Sequence, residues 1–355
     1  MERNKKTLLI RENVPPLLYW YRANARILPW RSDPTPYHVW ISEIMLQQTR
    51  VEAVKPYYLA FLEELPDIPS LAAVPDERLM KKWEGLGYYS RARNLKKAAV
   101  TVTETMGGNL PPDYEKLLSL PGIGEYTAGA ISSIAFGLPK PAVDGNVLRV
   151  LTRLFADERE VTDPAVKKDL TALLEEVYLS FPGDSSALTQ SLMELGATVC
   201  LPNGTPKCAE CPWADTCLAK KEGRAEEFPF KAPKKPRRIE ERTVLLLRHN
   251  GKFTVRKRPE RGLLAGLYEF PSFDGHLNEE DVRKAAESAF GPISSVTLLP
   301  DALHIFTHVE WRMRGYLIEC ETASPDLIWA TPEEIRSEYA VASAFRVYKK
   351  FVLQE

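Results

Sequence analysis

The sequence predicts a multi-domain protein, with an all-α N-terminal part joined through a basic, proline-rich linker to an α/β C-terminal domain. Three observations predict it. Apolar residues recur at three- and four-residue spacing across residues 8–220. After FPFKAPKKPRR (228–238) the pattern turns strand-like. A length of 355 residues matches two or three domains of ordinary size.

The helical part is carried by VEAVKPYYLAFLEEL (51–65), DYEKLLSL (113–120), TAGAISSIAFG (127–137), NVLRVLTRLF (146–155) and DLTALLEEVYLSF (169–181), with Pro and Gly at the breaks. In the C-terminal part, TVLLLRHNGKFTVRKR (243–258) places two strand-like runs around Asn250-Gly251, a strong hairpin signal. LHIFTHVEWRMRGYLIE (303–319) is strand-rich as well. No internal repeat is visible.

A hydrophobic fraction of 44% and a charged fraction of 27% exclude a disordered or fibrous chain. No run of about 18 apolar residues suggests a membrane span, and the N-terminus lacks the apolar core of a secretory signal. An intracellular, cytoplasmic location is expected. Net charge is -1, yet residues 231–261 hold 12 Lys/Arg against three Glu, and KKWEGLGYYSRARNLKK (81–97) holds six against one. Such patches can track phosphates; a solvated surface is the plainer reading of any single run.

Four of the five cysteines, Cys200, Cys208, Cys211 and Cys217, fall in one stretch of eighteen residues. In a reducing compartment this spacing reads as a metal site rather than disulfides. Zinc usually takes two knuckles separated by a longer spacer. One compact loop favours a [4Fe–4S] cluster held by four thiolates. Cys320, alone in a strand, reads as a core residue.

Two carboxylates stand out. Glu43 lies in VWISEIMLQQTR among Val39, Trp40, Ile44 and Leu46, where desolvation raises a carboxyl pKa. Asp144 precedes an apolar-periodic helix as an N-cap, so backbone donors and the helix dipole are expected to keep it ionised. A neutral acid beside a charged carboxylate is the division of labour that breaks glycosidic bonds. The plainer alternatives are a helix-edge glutamate and a simple capping aspartate. Between them LLSLPGIGEYTAGAISS (117–133) reads as helix, glycine turn, helix. Gly122 and Gly124 make the turn, and bare N–H groups at the second helix's start could receive a phosphate.

LPGIGEYTAG, VDGN and the four-cysteine loop resemble the helix-hairpin-helix base-excision glycosylases with an iron–sulfur cluster. LPWR, SEIMLQQTRV, GLGYYSRARNL and PAVDGNVLRVLTRL narrow the resemblance, across residues 15–217, to the adenine DNA glycosylases of the MutY family. The resemblance implies monofunctional removal of adenine opposite 8-oxoguanine or guanine in duplex DNA, by base flipping and retaining hydrolysis. Glu43 would be the acid and Asp144 the stabilising carboxylate, with Tyr126 and Asn146 orienting them. Arg26, Trp30, Arg31, Thr49 and Gln190 would line the adenine pocket. Gln48, Leu86 and Tyr88 would act at the lesion pair, with Gln48 and Tyr88 as wedges. Gly122 and Gly124 would take a phosphate, and a monovalent or calcium ion at the hairpin is allowed for. A monomer with no membrane partner, working at a bacterial nucleoid, is expected.

The chain departs from related families in ways that bear on function. The endonuclease III branch carries a hairpin lysine where this chain has Tyr126, so no Schiff base is expected there. Seven residues separate the first two cysteines, against the family's usual six. GLLAGLYEFP (262–271) resembles the start of the family's Nudix-like domain, but Ala285, Ser288 and Ala289 fill the expected acidic positions, so pyrophosphate hydrolysis is not expected. The family's Phe-Ser-His recognition loop is Phe306-Thr307-His308 here. The resemblance divides the chain into a cluster-bearing helical domain (1–29 and 138–220), a six-helix domain with the hairpin (30–137), a linker (221–240) and a Nudix-like 8-oxoguanine-recognition domain (241–355). The competing readings are a bifunctional pyrimidine glycosylase–lyase, a non-catalytic damage-binding protein and a Nudix hydrolase.

Overall fold

The computed structural model describes residues 1–233 and 236–354. The two linker lysines, Lys234 and Lys235, lie outside the described residues. In chain order the helical region runs α1 (Arg3–Asn24), α2 (Pro29–Ser32), α3 (Pro36–Leu46), α4 (Val51–Glu64), α5 (Ile68–Ala73), α6 (Asp76–Lys82), α7 (Ser90–Thr105), α8 (Tyr114–Leu118), α9 (Glu125–Ala130), α10 (Gly145–Phe155), α11 (Pro164–Tyr178), α12 (Ser185–Thr198) and α13 (Leu218–Lys221). Among the described residues, no helix is long and apolar enough to cross a membrane. Packing divides the chain into two compact units, Met1–Ala73 with Asn94–Pro233, and Val74–Arg93 with Lys234–Glu355.

In the first unit α10 is the buried axis. Asp144 starts it, accepting the backbone N–H groups of Asn146 and Val147, and Ala156 ends it in a left-handed conformation with φ 48°. Every residue from Val147 to Phe155 is buried. Its apolar residues join Ile10, Val14 and Leu17 of α1, Leu170 and Leu174 of α11, and Leu188 and Leu192 of α12 in one core. Each such side chain contributes about 1.5–3 kcal/mol of transfer free energy. Arg149 and Arg153 are buried too, and their guanidiniums bond backbone carbonyls: Arg149 to Cys200 and Gly196, Arg153 to Phe228 and Leu201.

The glycine turn before α9 needs only one special backbone. Gly122 has φ 77°, and a Cβ there would meet Asn94 Cβ at 2.6 Å. Gly124 has φ -95° and ψ 178°, extended backbone open to any residue, so the sequence expectation that both glycines turn the chain holds for Gly122 alone. After α9 the helix widens into a π-helix, Ile131–Ala135. Its Ser133 hydroxyl accepts from Thr189, which in turn contacts Tyr178, in a buried hydroxyl chain.

The second unit is a mixed sheet between helices. β1 (Arg238–His249), β2 (Lys252–Lys257), β3 (Tyr268–Glu269), β4 (Ser272–Asp274), β5 (Ile293–Ile305), β6 (Val309–Cys320) and β7 (Ile328–Ala330) alternate with α14 (Glu279–Phe290), α15 (Pro332–Ser337) and α16 (Arg346–Leu353). The strand order is β3-β2-β1-β6-β5, with β4 paired to β1 and β7 to β2. β1 and β6 run parallel from Arg238↔Val309 to Arg248↔Glu319. Asn250 and Gly251, both at positive φ, make the predicted hairpin between β1 and β2. One sheet face packs Leu245, Leu247 and Ile318 on Val282 and Ala286 of α14. On β6 a Cβ at Gly315 would strike the Tyr348 ring of α16 at 2.2 Å, so glycine permits that close approach.

Candidate active site

One cavity of about 510 Å³ in the first unit gathers residues from six α-helices, the π-helix and the segments between them. Its lining includes Arg26, Trp30, Arg31, Glu43, Gln48, Thr49, Tyr126, Asp144, Asn146 and Gln190. These are the predicted catalytic residues and all the predicted pocket residues from this unit.

Glu43 is 5% exposed, on an α3 whose residues from Tyr37 to Met45 are buried except His38. Burial pushes its carboxyl up to about 7; the Asp144 charge adds to this, while the Tyr126 hydroxyl and Arg31 oppose it. Tyr126 Oη donates to Glu43 Oε2. Burial and the neighbouring Glu43 and Asp144 charges hold the Tyr126 phenol well above its usual pKa, so it remains a donor.

Asp144 is held from below. Oδ1 accepts Asn146 N–H at 2.9 Å and Val147 N–H at 2.8 Å, and Oδ2 accepts Asn146 Nδ2 at 2.6 Å. Asn146 Oδ1 accepts from Arg149 Nη2 at 2.8 Å. The sequence expects backbone donors and the helix dipole to favour the anion at Asp144. The donors do favour the anion, but burial outweighs them and the carboxyl is raised. Desolvation of a cavity wall is invisible in a capping motif.

The cavity also holds a residue that the sequence did not single out. Glu194 of α12 has no accessible surface and pairs with both pocket arginines. Gln190, one turn earlier, accepts from the Tyr21 hydroxyl at 3.1 Å and donates to Ser186 at 3.2 Å. Gly122 and Gly124 lie at the α9 turn and do not line the cavity.

In the second unit Tyr88 has φ 47° and is 47% exposed. Its hydroxyl lies 3.2 Å from Thr307 Oγ1, which joins two positions that the sequence separates by 219 residues. Phe306, Thr307 and His308 form the tip of the β5–β6 hairpin, closed by Phe306 N–H to Val309 O at 2.8 Å. Phe306 packs on the buried Trp311 ring, centroids 5.0 Å apart. Leu86 is buried, and the Leu86 and Gly87 carbonyls both accept from Arg91. Several arginines of the basic run at 231–261 are paired. Arg238 and Arg242 bind Glu240, and Arg256 and Arg258 bind Glu269.

The four loop cysteines surround a second cavity with Arg153, Trp213 and Lys220. Burial, followed by the charges of neighbouring cysteines, lifts the thiols of Cys208 and Cys217, and burial lifts Cys211 to about 12. Arg153 Nη1 donates to Cys200 Sγ at 3.3 Å. Three thiols whose anions are disfavoured in this way suit a positively charged partner. Among the described residues, no three His, Cys, Asp or Glu side chains converge as one metal ion would need. Four cysteine side chains around one cavity supply the thiolate donors that a metal or iron–sulfur site uses.

Comparison with known proteins identifies the family. A family model described as HhH-GPD superfamily base excision DNA repair protein matches residues 41–176, and a NUDIX domain model matches residues 242–350. The solved structure of a thermostable thymine-DNA glycosylase is 28% identical, with a TM-score of 0.54, covering 62% of this chain and 98% of that one. A trapped endonuclease III–DNA covalent intermediate, 24% identical with a TM-score of 0.52, covers 63% of this chain and 99% of that one and shares the fold. Fold and site thus define a helix-hairpin-helix base-excision DNA glycosylase with a Nudix-like domain. The adenine DNA glycosylase of Homo sapiens is 35% identical over 403 residues, 94% of this chain and 73% of that protein. The chain belongs to the adenine DNA glycosylase family, hydrolases of N-glycosyl bonds in base excision repair.

Proposed function

We propose that this enzyme removes adenine from 8-oxoguanine:adenine and guanine:adenine pairs, by flipping the adenine into the cavity and cleaving its bond with acid assistance and net retention. One observation carries the reading. Glu43 is a buried carboxyl held near neutrality, in the same cavity wall as the capped Asp144.

The adenine leaves the duplex at a cost of a few kcal/mol in unstacking. Glu43 gives its proton to N7. The C1′–N9 electron pair then moves into the protonated ring, and positive charge develops on the sugar. Asp144, fixed by three donors, stabilises that charge. Water adds at C1′ and its proton goes to the Glu43 carboxylate, which restores the acid. Tyr126 orients Glu43, and Asn146 orients Asp144. Hydrogen bonds from the Phe306-Thr307-His308 tip, together with Tyr88, would read the base opposite. The four cysteines would hold a [4Fe–4S] cluster that braces the loop after α12. With a phenol at Tyr126 in place of an amine, little coupled strand cleavage is expected.

The test is single-turnover release of adenine from a duplex with adenine opposite 8-oxoguanine. Glu43→Gln should lower the rate at least a thousandfold and leave DNA affinity within a few-fold, and Asp144→Asn should be similarly inactive. Wild-type turnover in Glu43→Gln ends the assignment.

A further inference from the structure

Glu194 has no accessible surface and shares the cavity with Glu43. A buried carboxylate persists only with partners, and this one has two. Arg26 Nε donates to Oε1 at 2.7 Å, Arg26 Nη2 to Oε2 at 3.0 Å, and the Arg26 backbone N–H to Oε1 at 3.1 Å. Arg31 Nη2 donates to Oε2 at 2.7 Å. Arg31 Nη1 also donates to the Arg26 carbonyl at 3.0 Å, and its guanidinium lies 5.6 Å from the Tyr21 ring centroid. Both guanidiniums are therefore tied towards α12.

We propose that Glu194 is a positioning residue for base excision, tying Arg26 and Arg31 to α12 and countering their charge so that Glu43 keeps its proton. The inference rests on the acid role given to Glu43 above. The groups that face Glu43 come from every side of the cavity. Tyr126 donates from α9, and Asp144 brings negative charge from the cap of α10. Arg31 on α2 brings positive charge, and Arg26 just before it and Glu194 on α12 line the same cavity. Tyr21 on α1 faces Arg31 and Glu194. On α3 itself, the other titratable side chains are Tyr37 and His38. Arg31 already favours the Glu43 anion. Removing the Glu194 charge takes the counter-ion from Arg31 and frees that guanidinium to turn towards Glu43. Both changes favour the carboxylate, so adenine would meet an acid that had already lost its proton.

The test is the pH profile of single-turnover adenine release by the full chain. The rate falls on the basic side as the acid is lost. In Glu194→Gln, which keeps the volume, that basic limb should move about one pH unit lower. The rate at pH 8 should then drop about tenfold more than the rate on the acidic side. Glu194→Asp, which keeps the charge, should return the limb towards its wild-type position. Arg31→Met should move it the opposite way, to higher pH. A Glu194→Gln profile lowered uniformly, with its limb in place, overturns the proposal, because loss of packing alone would do that. So does an Arg31→Met limb that stays put or moves lower. If Glu194→Gln does not fold, the direction of the Arg31→Met shift decides. The Glu43→Gln assay is a separate arm: wild-type turnover there removes the acid, whereas an unmoved limb here removes only the tie.

Discussion

Burial lifts the Glu43 carboxyl from 4.5 to about 7, so between those values the folded enzyme holds a proton that the unfolded chain has released. A carboxyl raised in this way removes stability as pH climbs through that window, and the loss stays constant above it, on the order of 3 kcal/mol. Glu43→Gln should therefore raise the thermal unfolding midpoint at pH 8 by several degrees and leave it nearly unchanged at pH 4.5. Calorimetry at the two pH values checks this, and an equal gain at both would contradict it. Glu43, Asp144 and the four cysteines were legible in the sequence because their signals are local: an acid inside an apolar run, a cap before a periodic helix, and close cysteine spacing. Glu194 was not. In SLMELGA it reads as an ordinary helix glutamate, and its two partners lie 168 and 163 residues away in the chain. Only packing reveals that it is buried.

Two elements bring their backbones unusually close at the site. A Cβ added to Gly196 of α12 would lie 2.6 Å from Asn146 Cβ and 3.1 Å from its Cα. Asn146 holds Asp144, so Gly196→Ala should cost about 1–3 kcal/mol of stability and slow adenine release more than it weakens DNA binding. Denaturant unfolding and single-turnover rates measured on one preparation separate the two effects. At the β5–β6 tip, Thr307 supplies the hydroxyl that meets Tyr88. Thr307→Ala should narrow the preference for 8-oxoguanine over guanine opposite adenine about tenfold, measured as a ratio of single-turnover rates; an unchanged ratio would remove the tip from lesion reading. The β1–β2 hairpin was legible from Asn250-Gly251, since both positions need positive φ. The π-helix after α9 was not, because the buried hydroxyls that accompany it are ordinary serines and threonines in sequence. The glycine turn was half legible: Gly122 fills a left-handed position against Asn94, whereas Gly124 fills one that any residue could take.

Across the whole chain, the change from helical to strand-like periodicity marked where the sheet begins. It could not show that Val74–Arg93, helical in pattern, packs with the C-terminal unit, because membership of a unit is set by contacts between distant segments. Part of the basic run at 231–261 shows the same limit. Charges that look free in sequence are spent on Glu240 and Glu269, and short-range patterns do not reveal such pairings. The parallel union of β1 with β6 joins the first strand of the sheet to one about seventy residues further on, and Val244–Leu247 in that first strand are fully buried. During synthesis those four side chains leave the ribosome long before the strand that covers them exists. A message cut short before Val309 would yield a chain with a bare, adhesive β-edge, so premature stop codons late in the gene should produce clumped protein rather than a trimmed but working enzyme.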